Sequence, residues 1–369
     1  MAQPAQQDEF PILGIDYIEM CVGSAKHIAY YLCNAFGFSV IAYRGLETGS
    51  KGEVSYVLAQ GDIRFIVTGS LQPGSLVGYS VAHHGDFVAD IALRVPDACA
   101  AYDTALQRGA IDFVEPRLYK DEYGSLTIAA IKTYGEVIHS LVERKEYTGI
   151  FAPGYASINK DASSGVGLRT IDHIVGNVPL GEMNIWAEYY ARVMGFANLV
   201  HFTDSQISTE YTALMSKVMW DGTGKVKFPI NEPALGKRKS QIEEYLEFHG
   251  GAGVQHIALE TDNIVHTVSQ LRLRGVEFLS IPQAYYSDSL RARFRDVRTV
   301  DIDALADLGI LADRDEEGHL LQIFTKPVVD RPTLFFEIIE RQGSRGFGLG
   351  NFKALFEAIE REQAERGTL

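Results

Sequence analysis

The chain reads as an α+β protein built from two tandem copies of one strand–helix–strand-rich module. Three observations predict this. Segments recur in the same order in both halves, strand-like runs alternate with helical spacing inside each copy, and a stretch rich in Gly, Ser and Pro separates the copies. The 369 residues suit two domains at roughly 150 residues each. A hydrophobic fraction of 46% and a charged fraction of 22% are those of an ordinary globular protein.

The first copy opens on "GIDYIEMCVGSAKHIAYYLCNAFGF" from Gly14, and the second on "RTIDHIVGNVPLGEMNIWAEYYARVMGF" from Arg169. Each gives a strand, a turn, an amphipathic helix and a closing Gly-Phe. Next, "HHGDFVADIALRVPDACAAYDTALQRGAIDFVEP" from His83 matches "HGGAGVQHIALETDNIVHTVSQLRLRGVEFLSIP" from His249. These predict a strand followed by helices over Ala98–Arg108 and Ile264–Arg274, with apolar residues at helical spacing. The glycine of the following "RGA" and "RGV" supplies the left-handed residue that ends a helix. A third pair, "VIHSLVER" from Val137 and "LFFEIIER" from Leu334, closes each copy. Between them "YTGIFAPGYASINKDASSGVGLR" lacks periodicity and reads as the linker. The expected domains are 1–150 and 169–369, with a linker over 151–168. At the C-terminus "GFGLGNF" is a glycine-rich turn feeding "FKALFEAIEREQAER". There Phe352, Leu355, Phe356 and Ile359 share one helical face, predicting a helix over about 352–366. It is either a docked amphipathic helix or a lid.

With 34 Lys+Arg against 48 Asp+Glu, the net charge is −14. That balance, with no basic block, argues against nucleic acid and anionic membranes as partners. An anionic substrate would need local attraction. The N-terminal "MAQPAQQDEFPI" has neither a basic nor an apolar signal-peptide region, and no run nears the ~18 apolar residues of a spanning helix. Cys21, Cys33 and Cys99 are odd in number and read as reduced core residues of a cytoplasmic protein.

Aligning the copies isolates what differs. His173 stands where the first half has Tyr17, His256 where it has Asp90, and Glu337 is set against His139. A lone histidine on an apolar strand is ordinarily a core residue with a hydrogen-bond partner. An acid amid Leu334–Ile339 is costly unless paired or metal-bound, and three such residues at equivalent positions form a set. Two His and one carboxylate with open positions suit non-haem Fe(II). Catalytic zinc also accepts His₂Glu, though the chain lacks an H-E-x-x-H helix. Tyr17, Asp90 and His139 could ligate something too, but the plainer reading is a half without a site.

The chain resembles the 4-hydroxyphenylpyruvate dioxygenases of the vicinal-oxygen-chelate superfamily, from about Ile12 to Leu369. The resemblance rests on "AYRGLETGS" (42–50), "STEYTALMSKV" (208–218), "KFPINEPALGKRKSQIEEYLEFHGGAGVQHIAL" (227–259), "ADRDEEGHLLQIFTKPVVDRPTLFFEIIERQG" (312–343) and "GFGLGNFKALFEAIEREQ" (346–363). It implies open β-barrels of βαβββ modules in both halves, a C-terminal helix over the active barrel, and Fe(II) on His173, His256 and Glu337. It implies polar substrate contacts at Ser216, Asn231, Gln241, Gln255, Gln322 and Asn351, with Phe324, Phe335, Phe347 and Phe352 as an aromatic wall. Of these, Gln322, Phe347 and Phe352 would act on the reacting substrate. Read from the residues alone, Asn231 could hold a turn after Pro229. Strict alternation points Gln255 away from the face of His256 unless a bulge intervenes. Gln322 and Phe324 share a face, and the phenylalanines read as core.

The implied reaction turns 4-hydroxyphenylpyruvate and O₂ into homogentisate and CO₂, in a homo-oligomer (dimer or tetramer). 4-Hydroxymandelate synthases, which hydroxylate the benzylic carbon, are the nearest rivals. Phe352 and the "PIN" at 229–231 favour ring hydroxylation. A metal-free binding protein of the same fold and a zinc hydrolase are the alternatives from other classes.

Overall fold

Two curled sheets carry the repeat. The computed structural model describes residues 10–158, 164–202, 213–234, 236–297 and 299–369. Most of the N-terminal stretch and the start of the 208–218 motif lie outside the described residues. In the first half β1 (Gly14–Cys21), α1 (Ala25–Phe36), β2 (Ser39–Arg44), β3 (Glu53–Gln60) and β4 (Ile63–Ser70) form one βαβββ unit. After α2 (Leu76–His84), a second unit follows: β5 (Phe87–Arg94), α3 (Ala98–Gln107), β6 (Asp112–Asp121), β7 (Gly124–Lys132) and β8 (Ile138–Glu143). The short β9 (Ala156–Ser157) completes a nine-stranded sheet in the order β6-β7-β8-β5-β1-β4-β3-β2-β9.

The second half repeats the plan with β10 (Leu168–Asn177), α4 (Met183–Met194), β11 (Ala197–Phe202), β12 (Ala213–Trp220) and β13 (Lys227–Ala234). Then come α5 (Gln241–His249), β14 (Gly253–Thr261), α6 (Ile264–Leu273) and an insertion with the short helices α7 (Asp288–Arg293) and α8 (Ile302–Leu308). β15 (Leu311–Arg314), β16 (His319–Phe324), β17 (Phe335–Gln342) and α9 (Phe352–Arg366) finish the chain. The order β11-β12-β13-β10-β14-β17-β16-β15 matches that of the first sheet. In each sheet the leading strands of the two units pair antiparallel at the centre, β1 with β5 and β10 with β14.

The local signals act where they stand. Gly37 and Gly195 take the left-handed conformation that ends α1 and α4. Gly109 and Gly275, both at φ 88°, follow α3 and α6. Ser240 and Glu243 form a capping box on α5. The central strands are buried along nearly their whole length, because helices cover one face and a cup or core fills the other.

The halves share an apolar core. Phe336 of β17 packs 5.1 Å from Phe36 and 5.9 Å from Phe65 of the first half. The stretch expected to be a featureless linker is partly structured: Ala156 and Ser157 pair with β2, and Phe151 is buried in the first cup. Cys99 is not a core residue. It is exposed on α3, whose buried positions are Ala98, Ala101, Tyr102 and Ala105. All three cysteines are free, and among the described residues no helix is long and apolar enough to cross a membrane.

Candidate metal centre and substrate pocket

Three neighbouring strands at the middle of the second sheet, β10, β14 and β17, bring His173, His256 and Glu337 together inside its cup. Their ligating atoms lie within 4.8 Å of one another, and all three residues are buried. Glu337 Oε2 is 3.1 Å from His173 Nε2 and 3.3 Å from His256 Nε2. Burial alone would raise the Glu337 pKa, but the two imidazoles outweigh it and hold the carboxyl at about 2.

A β-bulge sits beside each histidine. Along the β10–β14 ladder Ile171 pairs with Leu259 and His173 with Ala258, so Asp172 is the extra residue. Farther along, Val175 pairs with His256 and Gly176 with Val254, so Gln255 is extra on the other strand. Each bulge turns the residue before the histidine onto the histidine's own ring. His173 Nδ1 donates to Asp172 Oδ1 at 2.6 Å, and His256 Nδ1 donates to Gln255 Oε1 at 2.9 Å. That places the protons on Nδ1 and leaves both Nε2 atoms for a cation, the usual arrangement behind a metal-bound imidazole. Asp172 also accepts from Arg341 Nε at 2.7 Å and Lys227 Nζ at 2.9 Å. Burial opposes its charge, yet the His173 hydrogen bond and the Arg341 guanidinium hold its carboxyl well below the usual range. Two imidazoles and one carboxylate, with the Nδ1 protons fixed by Asp172 and Gln255, fit a divalent metal with open positions.

A pocket surrounds this trio. Ser216, Asn231, Gln241, Gln255 and Gln322 line it, as do Phe324, Phe335, Phe347 and Phe352. Phe335 stacks on His256 at 4.8 Å and Phe347 meets His173 edge-on at 5.2 Å. Leu355, Phe356 and Ile359 of α9 line the pocket as well. Asn231 holds no turn: it sits within β13, opposite Ser216 of β12. Gln322 lines the pocket, and its Oε1 is buried against Gly348 without a hydrogen-bond partner among the described residues. Asn351 is elsewhere. It is fully buried just before α9, accepts from Tyr285 Oη at 2.5 Å, and does not line the pocket.

The first half corrects one equivalence. Asp90 pairs with Ile138 as His256 pairs with Phe335, so the residue equivalent to Glu337 is Ser140. His139 faces the opposite side, between the Ile91 carbonyl and Tyr190 Oη, each at 2.9 Å. The matched segments "VIHSLVER" and "LFFEIIER" already set Ser140 against Glu337; His139 is one residue out, and one residue reverses a strand's face. Tyr17, Asp90 and Ser140 bond to one another. Ser140 Oγ donates to Asp90 at 2.6 Å and Tyr17 Oη donates at 3.2 Å, while Phe151 packs edge-on against Tyr17 at 5.6 Å. Composition alone does not single out Asp172 and Arg341, the residues behind His173. The signal that could have found them is their repetition as Asp16 and Arg144 in the first copy.

This fold and centre define a class. The description "Glyoxalase/Bleomycin resistance protein/Dioxygenase superfamily" matches residues 170–323. A Mn(II)-bound glyoxalase from Novosphingobium aromaticivorans shares the fold over 89% of this chain and 82% of its own (11% identity, TM-score 0.50). Within that class, "Hydroxyphenylpyruvate dioxygenase, HPPD, N-terminal" matches residues 7–155. A 4-hydroxyphenylpyruvate dioxygenase of Yarrowia lipolytica is 45% identical, covering 96% of this chain and 93% of that protein. One of Tetrahymena thermophila is 47% identical over 97% and 92%. A mutant 4-hydroxymandelate synthase from Streptomyces coelicolor superposes with a TM-score of 0.86 at 32% identity, covering 96% of this chain and 99% of that chain. The chain belongs to the 4-hydroxyphenylpyruvate dioxygenase family and is an enzyme.

Proposed function

We propose that this enzyme converts 4-hydroxyphenylpyruvate and O₂ to homogentisate and CO₂, with Fe(II) held by His173, His256 and Glu337. The observation that carries the metal reading is the buried His–His–Glu group with both Nδ1 atoms already committed to acceptors. When bound, a ferrous ion supplies open positions for the 2-oxo acid and O₂ and the electrons that start oxygen reduction. Everything else falls to the chain. One carboxylate and two neutral imidazoles around a dication leave a local +1, which attracts an anionic substrate to a chain of net charge −14. Phe324, Phe335, Phe347 and Phe352 hold the aromatic ring by apolar contact. Ser216, Asn231, Gln241, Gln255 and Gln322 orient its polar groups; the orphan Gln322 oxygen supports this role. α9, whose apolar face lines the pocket, excludes water from it. Asn351 supports that helix through Tyr285 without touching substrate.

The 4-hydroxymandelate synthase superposition favours a second reading, benzylic hydroxylation of the same substrate. Oxygen uptake by the Fe(II)-loaded enzyme, with products identified by mass, separates the two. Homogentisate is expected. Hydroxymandelate would replace the assignment, and oxygen-independent turnover would end it. Anaerobic Fe(II) titration should show saturable binding that His256→Ala and Glu337→Ala abolish.

We also infer a homo-oligomer in the cytoplasm. The free cysteines support a reducing compartment. Phe113 and Leu118 on the edge strand β6 are 50% and 58% exposed, which supports self-association. Light scattering should return a dimer or tetramer mass.

A further inference from the structure

Each half carries the same clamp at the end of its last long strand, where the matched segments close on Arg144 and Arg341. In the first half Arg144 Nη2 bonds Asp16 Oδ1 at 2.6 Å, and Nη1 donates to the Phe151 carbonyl. Its guanidinium lies 5.0 Å from the Phe151 ring, and that ring packs against Tyr17. In the second half Arg341 bonds Asp172 through Nε at 2.7 Å and Nη2 at 2.9 Å. Its Nη1 donates to the carbonyls of Gly346 at 2.6 Å and Ser344 at 3.2 Å. Its guanidinium lies 5.4 Å from the Phe347 ring, and that ring packs against His173. Two differences matter. Asp172 also accepts from His173, where the first half has Tyr17. The clamped turn leads into α9, where in the first half it leads back to β9 on the sheet.

We propose that Arg341 is a positioning residue that couples the metal centre to the terminal helix: through Asp172 it orients the His173 imidazole, and through the Ser344 and Gly346 carbonyls it fixes the turn from which α9 springs. The inference rests on His173 being a metal ligand. Coupling of this kind is reciprocal: metal binding steadies the turn, and a loosened turn weakens the metal. Lysine cannot replace the arginine fully, because one ammonium cannot reach a carboxylate bidentately and two carbonyls in one plane.

The test uses the full chain with Arg341→Met, Arg341→Lys and, as a control on the duplicate clamp, Arg144→Met. Fe(II) affinity is measured anaerobically by competition with a chromogenic chelator. Amide hydrogen exchange over 344–369 is followed with and without Fe(II). Arg341→Met should lose roughly 10–100-fold in affinity and speed exchange of the turn. Arg341→Lys should keep more of the affinity yet still free the turn. Arg144→Met should lower the melting temperature but bind Fe(II) within about twofold of wild type. Wild-type affinity and exchange in Arg341→Met overturn the coupling; if that variant does not fold, the same result in Arg341→Lys does so. Equal affinity losses in the Arg341→Met and Arg144→Met variants also overturn it, since they would reflect general loosening. Failure of the wild type to bind Fe(II) is distinguishable, because it removes the metal-centre reading itself and this inference with it.

Discussion

One inserted residue beside each histidine decides the chemistry of the centre. Without the bulge at Gln255, alternation would send its amide to the far face and leave His256 Nδ1 unpaired. Gln255→Ala should therefore weaken Fe(II) binding by roughly 10–100-fold while leaving the fold intact, a loss that metal titration reads directly. The silent half offers a complementary residue. Asp90 is buried, and that burial pushes its pKa up to about 7 against the hydrogen bonds from Ser140. Its folded value exceeds its unfolded one, so its contribution to stability is full below about pH 4 and is lost as pH rises through 7. Asp90→Asn keeps the bond from the Ser140 N–H, can donate to Ser140 Oγ instead of accepting from it, and removes the charge. It should be stabilising at pH 8, by up to roughly 4 kcal/mol, and near neutral at pH 4. Denaturant melts at the two pH values check this; an equal effect at both would sink it. The histidines and the glutamate were legible once the copies were aligned. The bulges were not, since nothing local in "TIDHIV" or "GVQHIAL" marks an extra residue in a ladder with a distant strand.

At the scale of an element, the turn before α9 is tightly constrained. Gly348 has φ 73°, and a β-carbon there would overlap the amide oxygen of Gln322. Gly348→Ala should destabilise by about 1 kcal/mol and displace Gln322. The expected kinetic result is a several-fold rise in KM for 4-hydroxyphenylpyruvate with a lower kcat, measured by oxygen uptake. Wild-type kinetics would remove Gly348 from the pocket's support. Helix α9 itself was legible from its apolar stripe. What holds it was not: Arg366 bonds Glu244 of α5 at 2.9 Å, and Lys326 bonds Glu362 at 2.9 Å. Those charges look like solvated helix faces until the partner elements are in place.

Across the whole molecule, the two sheets act as one body through their shared core. Phe336 sits between Phe36 and Phe65, so Phe336→Ala should cost about 3–5 kcal/mol and lower the melting temperature as one transition; loss of only the second half would contradict this. Acid should act across the molecule too. Burial holds His139 and His249 down to about 4, below the value of an unfolded histidine. Their contribution is full above about pH 6.5 and fades as pH falls toward 4, so the urea midpoint should fall between pH 7 and 5. The sequence by itself determined the duplication, the helix-ending glycines and the residues that distinguish the two halves, because these are local or repeated patterns. Only the tertiary structure decided that His139 faces away from the cup, that Gln255 faces the pocket, that Asn351 does not, and that one core joins both halves. Strand register, bulges and close packing are set by partners far along the chain, and one residue of register reverses every face.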